Sequence, residues 1–141
     1  MVKDNKSTII HVVPSSSLYY DRGLKAYDEN HIDKAQKYFE RGVSLAETED
    51  DRIFGKCQLA LLYQHNGNFQ VSIDMLNELL EEKPTRYPEL YFFQANNYAF
   101  VENYEKALHL TELYIRTDPD GQYLDEAKEI KEMIEYEMSG M

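Results

Sequence analysis

Leu59-Ala60-Leu61-Leu62-Tyr63 returns 35 residues later as Gln94-Ala95-Asn96-Asn97-Tyr98, with the alanine and the tyrosine at the same places. A weaker copy precedes both, and aligning it on Gly23 gives successive intervals of 37 and 35 residues. These intervals are close to the roughly 34-residue period of a helix–turn–helix repeat. Because a repeat array presents an extended surface, the pattern predicts a binding protein and not an enzyme.

The composition narrows the classes of partner. The chain has 141 residues, a formal net charge of −11 and a single cysteine, Cys57. That charge disfavours nucleic acid, whose phosphates it repels, and also disfavours anionic membrane surfaces. No apolar run approaches the roughly 20 residues that span a bilayer. A lone cysteine suits a reducing compartment, so we expect a cytoplasmic protein.

The chain divides into an arm, three helix pairs and a last helix. We expect the arm over 1–15, the pairs over about 16–49, 53–86 and 88–121, and the last helix over about 122–137. Ile9-Ile10-His11-Val12-Val13 in the arm is β-branched and predicts an extended segment. That segment is either a mobile tail, or lies on the first helix, or docks in a groove of this chain or of a second copy.

Residues that are typical of helix starts and helix ends support these boundaries. Thr48 is placed to cap the first amides of a helix, and Gly67 to end one in a left-handed conformation. Pro88 suits the first position of the next helix. The last segment carries an apolar stripe and an acidic outer face, as the exposed end of a repeat array requires. The stripe consists of Leu124, Ala127, Ile130 and Ile134.

Over about residues 16–137 the chain resembles the tetratricopeptide repeat family. The family pattern is a large aromatic, then Leu-Gly, then Tyr, then Ala, Phe and a closing Pro at fixed offsets. The second copy matches at Leu59, Ala60, Tyr63, Gly67, Phe69 and Pro84, and the third at Tyr91, Ala95, Tyr98, Tyr104, Ala107 and Pro119. The resemblance implies an all-α solenoid of three helix pairs with a C-terminal capping helix. Gly23, Ala60 and Ala95 should then be close-packing positions.

A catalytic or metal site finds no support in the sequence. The four histidines are isolated, so no two share the spacing of a local metal pair. Cys57 has only Lys56 beside it, and the carboxylate runs lie on expected loops and helix ends. The chain also lacks a Gly-rich phosphate loop. We expect no catalytic residue, no metal and no cofactor.

The resemblance places a concave groove along the first helix of each pair. From their positions in the repeat, the residues expected to form the walls of this groove are Tyr20, Leu24, Tyr27, Phe54, Leu61, Phe92, Asn96 and Phe100. Family members that bind the C-terminal carboxylate of chaperones use Lys, Arg and Asn at two positions on the first helix of each pair. Here those positions hold Tyr20, Cys57 and Phe92, then Leu24, Leu61 and Asn96, so only Asn96 fits.

The groove is therefore expected to be apolar and aromatic, suited to a peptide or helix of a protein partner. The alternative is an assembly or regulatory module of a larger protein that self-associates through the groove or the arm. That alternative makes a homo-oligomer possible.

Overall fold

The computed structural model describes residues 14–82 and 86–140. Within these ranges the chain forms seven α-helices and no strand, which confirms the predicted all-α class. The helices are α1 (Ser16–Asp28), α2 (Ile32–Ser44), α3 (Glu49–His65), α4 (Phe69–Glu82), α5 (Glu89–Phe100), α6 (Tyr104–Thr117) and α7 (Leu124–Ser139). Nearly all of the predicted arm and the predicted closing Pro84 lie outside the described residues. The predicted domain boundaries remain predictions.

The chain divides into two compact units, unit 1 over residues 1–52 and unit 2 over residues 53–141. In unit 1, α1 packs on α2 because Gly23 lets the Phe39 ring approach its backbone. A Cβ atom at residue 23 would lie 2.7 Å from Cε1 of Phe39, closer than real Cβ contacts. The Thr48 hydroxyl accepts a 3.1 Å hydrogen bond from the Asp51 amide, which confirms the predicted cap.

Unit 2 has one apolar core to which all of its helices contribute. Its buried members are Ile53, Cys57, Ala60, Leu76, Leu79, Leu90, Phe92, Phe93, Tyr114 and Ala127. Ala60 and Ala95 are fully buried, as expected of close-packing positions. On α7, Ala127 and Ile134 are also fully buried, so the apolar stripe of the last helix faces the interior of this unit.

In each helix pair, the turn between the two helices contains one residue with a left-handed backbone conformation. Asn30, Gly67 and Glu102 have φ values of 64°, 84° and 61°. Their spacing repeats the 37- and 35-residue intervals of the sequence pattern. In every turn the next residue's N–H donates to the carbonyl five positions earlier at 2.8 Å, as in a Schellman motif. These bonds join His31 to Ala26, Asn68 to Tyr63 and Asn103 to Tyr98.

Substitutions at two of these turns should change stability in opposite directions. A Cβ atom at Gly67 would meet nothing within 4 Å, so Gly67→Ala adds only backbone strain. We expect that strain to cost about 1 kcal/mol of unfolding free energy, and Glu102→Gly to recover a similar amount. Urea denaturation measures both, with Gly140→Ala, where φ is −85°, as the control. Equal effects at Gly67 and Gly140 would contradict the backbone explanation.

Candidate protein-interaction surface

Tyr20 lies in the interior of unit 1, whereas its neighbours on α1 are accessible. Only 5% of Tyr20 is exposed, and its hydroxyl donates a 2.6 Å hydrogen bond to the Asp51 carbonyl. Its ring lies 6.3 Å from that of Phe39, centroid to centroid. Leu24 and Tyr27 are 39% and 36% exposed. The accessible part of the predicted surface in unit 1 therefore consists of Leu24 and Tyr27.

In unit 2 the predicted residues also separate into buried and accessible ones. Phe54 is 43% exposed, and Phe100 is 61% exposed while stacking on Phe69 with ring centroids 5.0 Å apart. Leu61 and Asn96 are half-buried. Phe92, by contrast, is only 6% exposed.

A residue that the sequence analysis did not consider closes access to Phe92. The Tyr123 ring stacks on Phe92 at 4.8 Å, with only 10° between the ring planes. Phe92 also contacts Tyr114, whose ring centroid is 5.6 Å away. The Tyr123 amide donates a 3.0 Å hydrogen bond to the Tyr114 hydroxyl, which fixes the residue before α7. An aromatic residue just after the Asp118-Pro119-Asp120-Gly121 turn was the sequence signal for this contact.

The three copies of the repeat show the same distribution of burial. The first of the two positions compared with carboxylate-binding members holds Tyr20, Cys57 and Phe92, and all three are buried. The second holds Leu24, which is exposed, and Leu61 and Asn96, which are half-buried. The second position thus keeps some exposure in every copy, although Leu61 also packs against the core of unit 2, and the first position is buried.

Buried side-chain amides on α5 form a series of hydrogen bonds within unit 2. Gln94 and Asn97 on α5 are fully buried, as is Ser72 on α4. The Gln94 Nε2 donates to the Ile73 carbonyl at 2.9 Å and to the Asn77 Oδ1 at 2.8 Å. These bonds connect α5 to α4.

Asn97 extends the same series to α3. Its Nδ2 donates to the Ser72 hydroxyl at 2.8 Å and to the Gln94 Oε1 at 3.0 Å. Its Oδ1 accepts from the Gln64 Nε2 at 3.0 Å, and that nitrogen also donates to the Phe93 carbonyl. Every side-chain amide N–H of Gln64, Gln94 and Asn97 therefore has an acceptor, as expected of polar groups in a protein interior. We refer to Gln64, Ser72, Asn77, Gln94 and Asn97 as the amide network.

The electrostatics of the neighbouring groups do not favour nucleophilic chemistry. Burial raises the pKa of the Cys57 thiol to about 12, and the Glu89 carboxylate adds to the shift. The thiol is therefore protonated at neutral pH and is a poor nucleophile. In the described ranges no group of three or more His, Cys, Asp or Glu side chains is placed to hold a metal ion. None of the helices described is long and apolar enough to cross a membrane.

Comparison with known proteins identifies the class of this fold. A tetratricopeptide repeat model matches residues 16–49. The TPR repeat-containing protein YvcD of Bacillus subtilis (strain 168) is 30% identical over 131 residues, which are 93% of this chain and 26% of YvcD. The photosystem I assembly protein Ycf3 of Prochlorococcus marinus (strain NATL2A) is 28% identical over 82 residues, 54% of this chain and 47% of Ycf3. The chain thus spans about a quarter of the first relative and about half of the second.

Solved structures show the same fold at low sequence identity. The first TPR of Spaghetti (RPAP3), bound to the HSP90 peptide SRMEEVD, has a TM-score of 0.74 at 15% identity, covering 88% of this chain and 93% of that one. PcrH from Pseudomonas aeruginosa has a TM-score of 0.71 at 15% identity, with 84% and 90% covered. A T3SS complex from Aeromonas hydrophila has a TM-score of 0.70 at 20% identity, with 88% and 83% covered.

The chain carries a tetratricopeptide repeat and has the all-α fold of tetratricopeptide repeat proteins, a family of scaffolds for protein–protein interaction. Its helix pairs, its repeat interval and its small residues at the close contacts agree with that assignment.

The amide network should be a main determinant of stability in unit 2. Asn97→Ala leaves the buried Gln94 oxygen and one N–H of the half-buried Gln64 without their partners, which should cost about 1–3 kcal/mol of unfolding free energy. The adjacent Asn96 lies outside the network, so Asn96→Ala should change that free energy by less than about 0.5 kcal/mol. Urea denaturation of both variants measures the contrast. Similar losses in the two variants would show that the network does not carry this stability.

Proposed function

We propose that this chain is a protein-interaction module that binds a peptide or a helical segment of a partner through apolar side chains on the first helix of each pair. The supporting observation is the recurring burial pattern, in which Leu24, Leu61 and Asn96 stay accessible beside a buried neighbour. Phe54 and Phe100 add exposed aromatic surface to α3 and α5 in unit 2. The RPAP3 structure is an example of a similar fold in complex with a peptide.

Exposure of such residues is unfavourable in water unless a partner covers them. Burying apolar area contributes roughly 25 cal/mol per Å² before the costs of association, so large aromatic groups are effective anchors. Single exposed apolar residues are ordinary on protein surfaces. Here, however, the accessible residues occupy the same repeat position in three successive copies. A periodic pattern of that kind is typical of a binding surface in a repeat protein.

Asn96 gives the surface a polar group among apolar ones. Its side chain is half-buried and lies outside the amide network, so its amide is available to a ligand. A carboxamide can both donate to and accept from a peptide backbone, which would fix the direction of a bound segment. We propose that Asn96 has this role.

The same proposal covers the remaining properties expected from the sequence. An adaptor of this kind needs no catalytic residue or cofactor, and the net charge of −11 disfavours nucleic acid as the ligand. A cytoplasmic setting suits its single cysteine. An assembly module that self-associates is the second candidate, and the exposed apolar groups on both units favour it equally.

A peptide selection tests the surface while the natural partner is unidentified. The probe is a random 12-residue display library, from which an enriched peptide is synthesised and titrated by fluorescence polarisation. Phe54→Ser and Phe100→Ser should each lose about 2 kcal/mol of binding, or about 30-fold in Kd. Both residues are exposed, so the thermal unfolding transition should move only by the small amount expected from losing the Phe100–Phe69 stacking.

Lys37→Ala, an exposed substitution on α2, is the control and should leave the Kd within about twofold. Raising the salt concentration should weaken binding only slightly, because apolar burial is not screened. The proposal fails if enriched peptides lack an apolar centre, or if Lys37→Ala weakens binding as much as Phe100→Ser does.

A further inference from the structure

Unit 1 carries a basic pocket on an otherwise acidic protein. The pocket has a volume of about 270 Å³ and is lined by Arg22, Lys25, Ala26, Glu29, Lys34 and Tyr38. Three cationic side chains from α1 and α2 therefore surround one carboxylate. We refer to this feature as the basic pocket.

The three cations of the basic pocket outnumber its one carboxylate, Glu29. In residues 14–82 and 86–140, neither Lys25 nor Lys34 forms an ion pair, and the Glu29 Oε1 lies 3.9 Å from the His31 Nδ1. Gathering three cations around a single carboxylate costs free energy, which an anionic partner would recover. The pocket therefore favours a ligand with two or more negative charges.

Aromatic rings hold part of this surface in place. The Arg22 guanidinium lies 5.6 Å from the Tyr19 ring centroid and the Arg41 guanidinium 5.9 Å from it. Tyr19 in turn lies 6.2 Å from Tyr38. A guanidinium already positioned by a ring loses less side-chain entropy when it binds a carboxylate. The rings also offer apolar area to an aromatic or thioether side chain.

The outward side of α7 in unit 2 has the complementary composition. Glu129, Glu132, Met133 and Tyr136 lie at positions i, i+3, i+4 and i+7 of one helix, so they form one stripe. Met133 is 48% exposed and Tyr136 is 77% exposed, and both glutamates are exposed. The nearby Lys131 is engaged elsewhere, with its Nζ 3.4 Å from the Glu112 Oε2. We refer to these four residues as the α7 stripe.

We propose that the α7 stripe of one copy of this chain docks in the basic pocket of a second copy. Glu129 and Glu132 would pair with the pocket cations, while Met133 and Tyr136 would pack against Tyr38 and Tyr19. One contact thus accounts for the excess of cations in the basic pocket and for the exposure of Met133 and Tyr136 on α7. It uses neither the peptide surface proposed above nor the N-terminal arm.

At physiological ionic strength the net charges of two copies oppose their approach only weakly. Repulsion between two chains of charge −11 is largely screened beyond roughly 8 Å at physiological ionic strength. Ion pairs in direct contact are screened much less. Because each copy carries both halves of the contact, two copies can pair reciprocally in a closed dimer, or the contact can continue into a larger ring or a longer chain.

Analytical ultracentrifugation of two charge-reversal variants tests the contact. The wild-type weight-average mass should rise above the monomer value of 16.6 kDa as concentration increases across about 10–1,000 µM, the range of weak specific contacts. Lys25→Glu with Lys34→Glu should remain monomeric, and so should Glu129→Lys with Glu132→Lys. Each variant alone places like charges opposite each other. Tyr136→Ala should weaken association by about tenfold.

An equimolar mixture of the two charge-reversal variants provides the decisive result. In the mixture the unchanged stripe of the pocket variant meets the unchanged pocket of the stripe variant, and the two reversed surfaces also face each other with opposite charges. The mixture should therefore associate although neither component does. Lys37→Glu and Glu105→Lys, each a single charge reversal at an exposed position, are the controls and should associate like wild type.

The proposal is overturned if the wild type stays at 16.6 kDa at every concentration, if the reversals leave its association unchanged, or if the mixture stays monomeric. Peptide binding by Lys25→Glu with Lys34→Glu should equal that of wild type, so failure here is distinguishable from failure of the proposed function.

Discussion

The side chains of Gln94 and Asn97 are fully buried on α5, so every polar atom that they carry has to find its partner within unit 2. They do so through Ser72 and Asn77 on α4 and Gln64 on α3. A one-residue shift of α5 would leave several of these atoms buried and unpaired, each at a cost of about 1–3 kcal/mol. Apolar packing alone tolerates small shifts better, since it has no direction. The amide network thus fixes the register of α3, α4 and α5.

That register decides which side chains can meet a partner. With α5 fixed, Phe92 points into the core beneath Tyr123, and Asn96, one helical turn later, remains accessible. The same relation holds between Cys57 and Leu61 on α3, and between Tyr20 and Leu24 on α1. A repeat protein can therefore vary its accessible position for binding without disturbing the buried one. The function proposed here depends on that separation within each repeat.

Much of the fold follows from the sequence because the signals are local. Helix periodicity, the Thr48 cap and the left-handed Gly67 each depend on a few neighbouring residues, and the structure confirms them. Small residues at Ala60 and Ala95 were similarly informative, since only a close contact explains their recurrence. The left-handed Glu102 was not predicted, because Glu has no intrinsic preference for that conformation and the repeat interval was its only signal.

The surface was less predictable than the fold because burial depends on distant residues. Register placed Tyr20 and Phe92 on the binding helices, yet their exposure is set by Asp51 and Tyr123, which lie 31 residues after each of them in the chain. From their residue types alone, Gln94 and Asn97 would be expected on the surface, because Gln and Asn side chains are mostly exposed. Their role becomes visible only when Gln64, Ser72 and Asn77 are brought together by tertiary packing. The basic pocket is likewise formed by residues from two helices.

Side-chain amide hydrogen exchange, followed by NMR, tests the register claim most directly. The Nε2 protons of Gln94 and the Nδ2 protons of Asn97 are predicted to give separate, shifted resonances that exchange only when unit 2 opens, as slowly as the backbone amides of α5. The exposed carboxamide of Gln122 serves as the internal reference for free exchange. If the Gln94 and Asn97 side chains exchange as fast as Gln122 does, the network is not formed in solution, and the account of how the accessible surface is fixed is wrong.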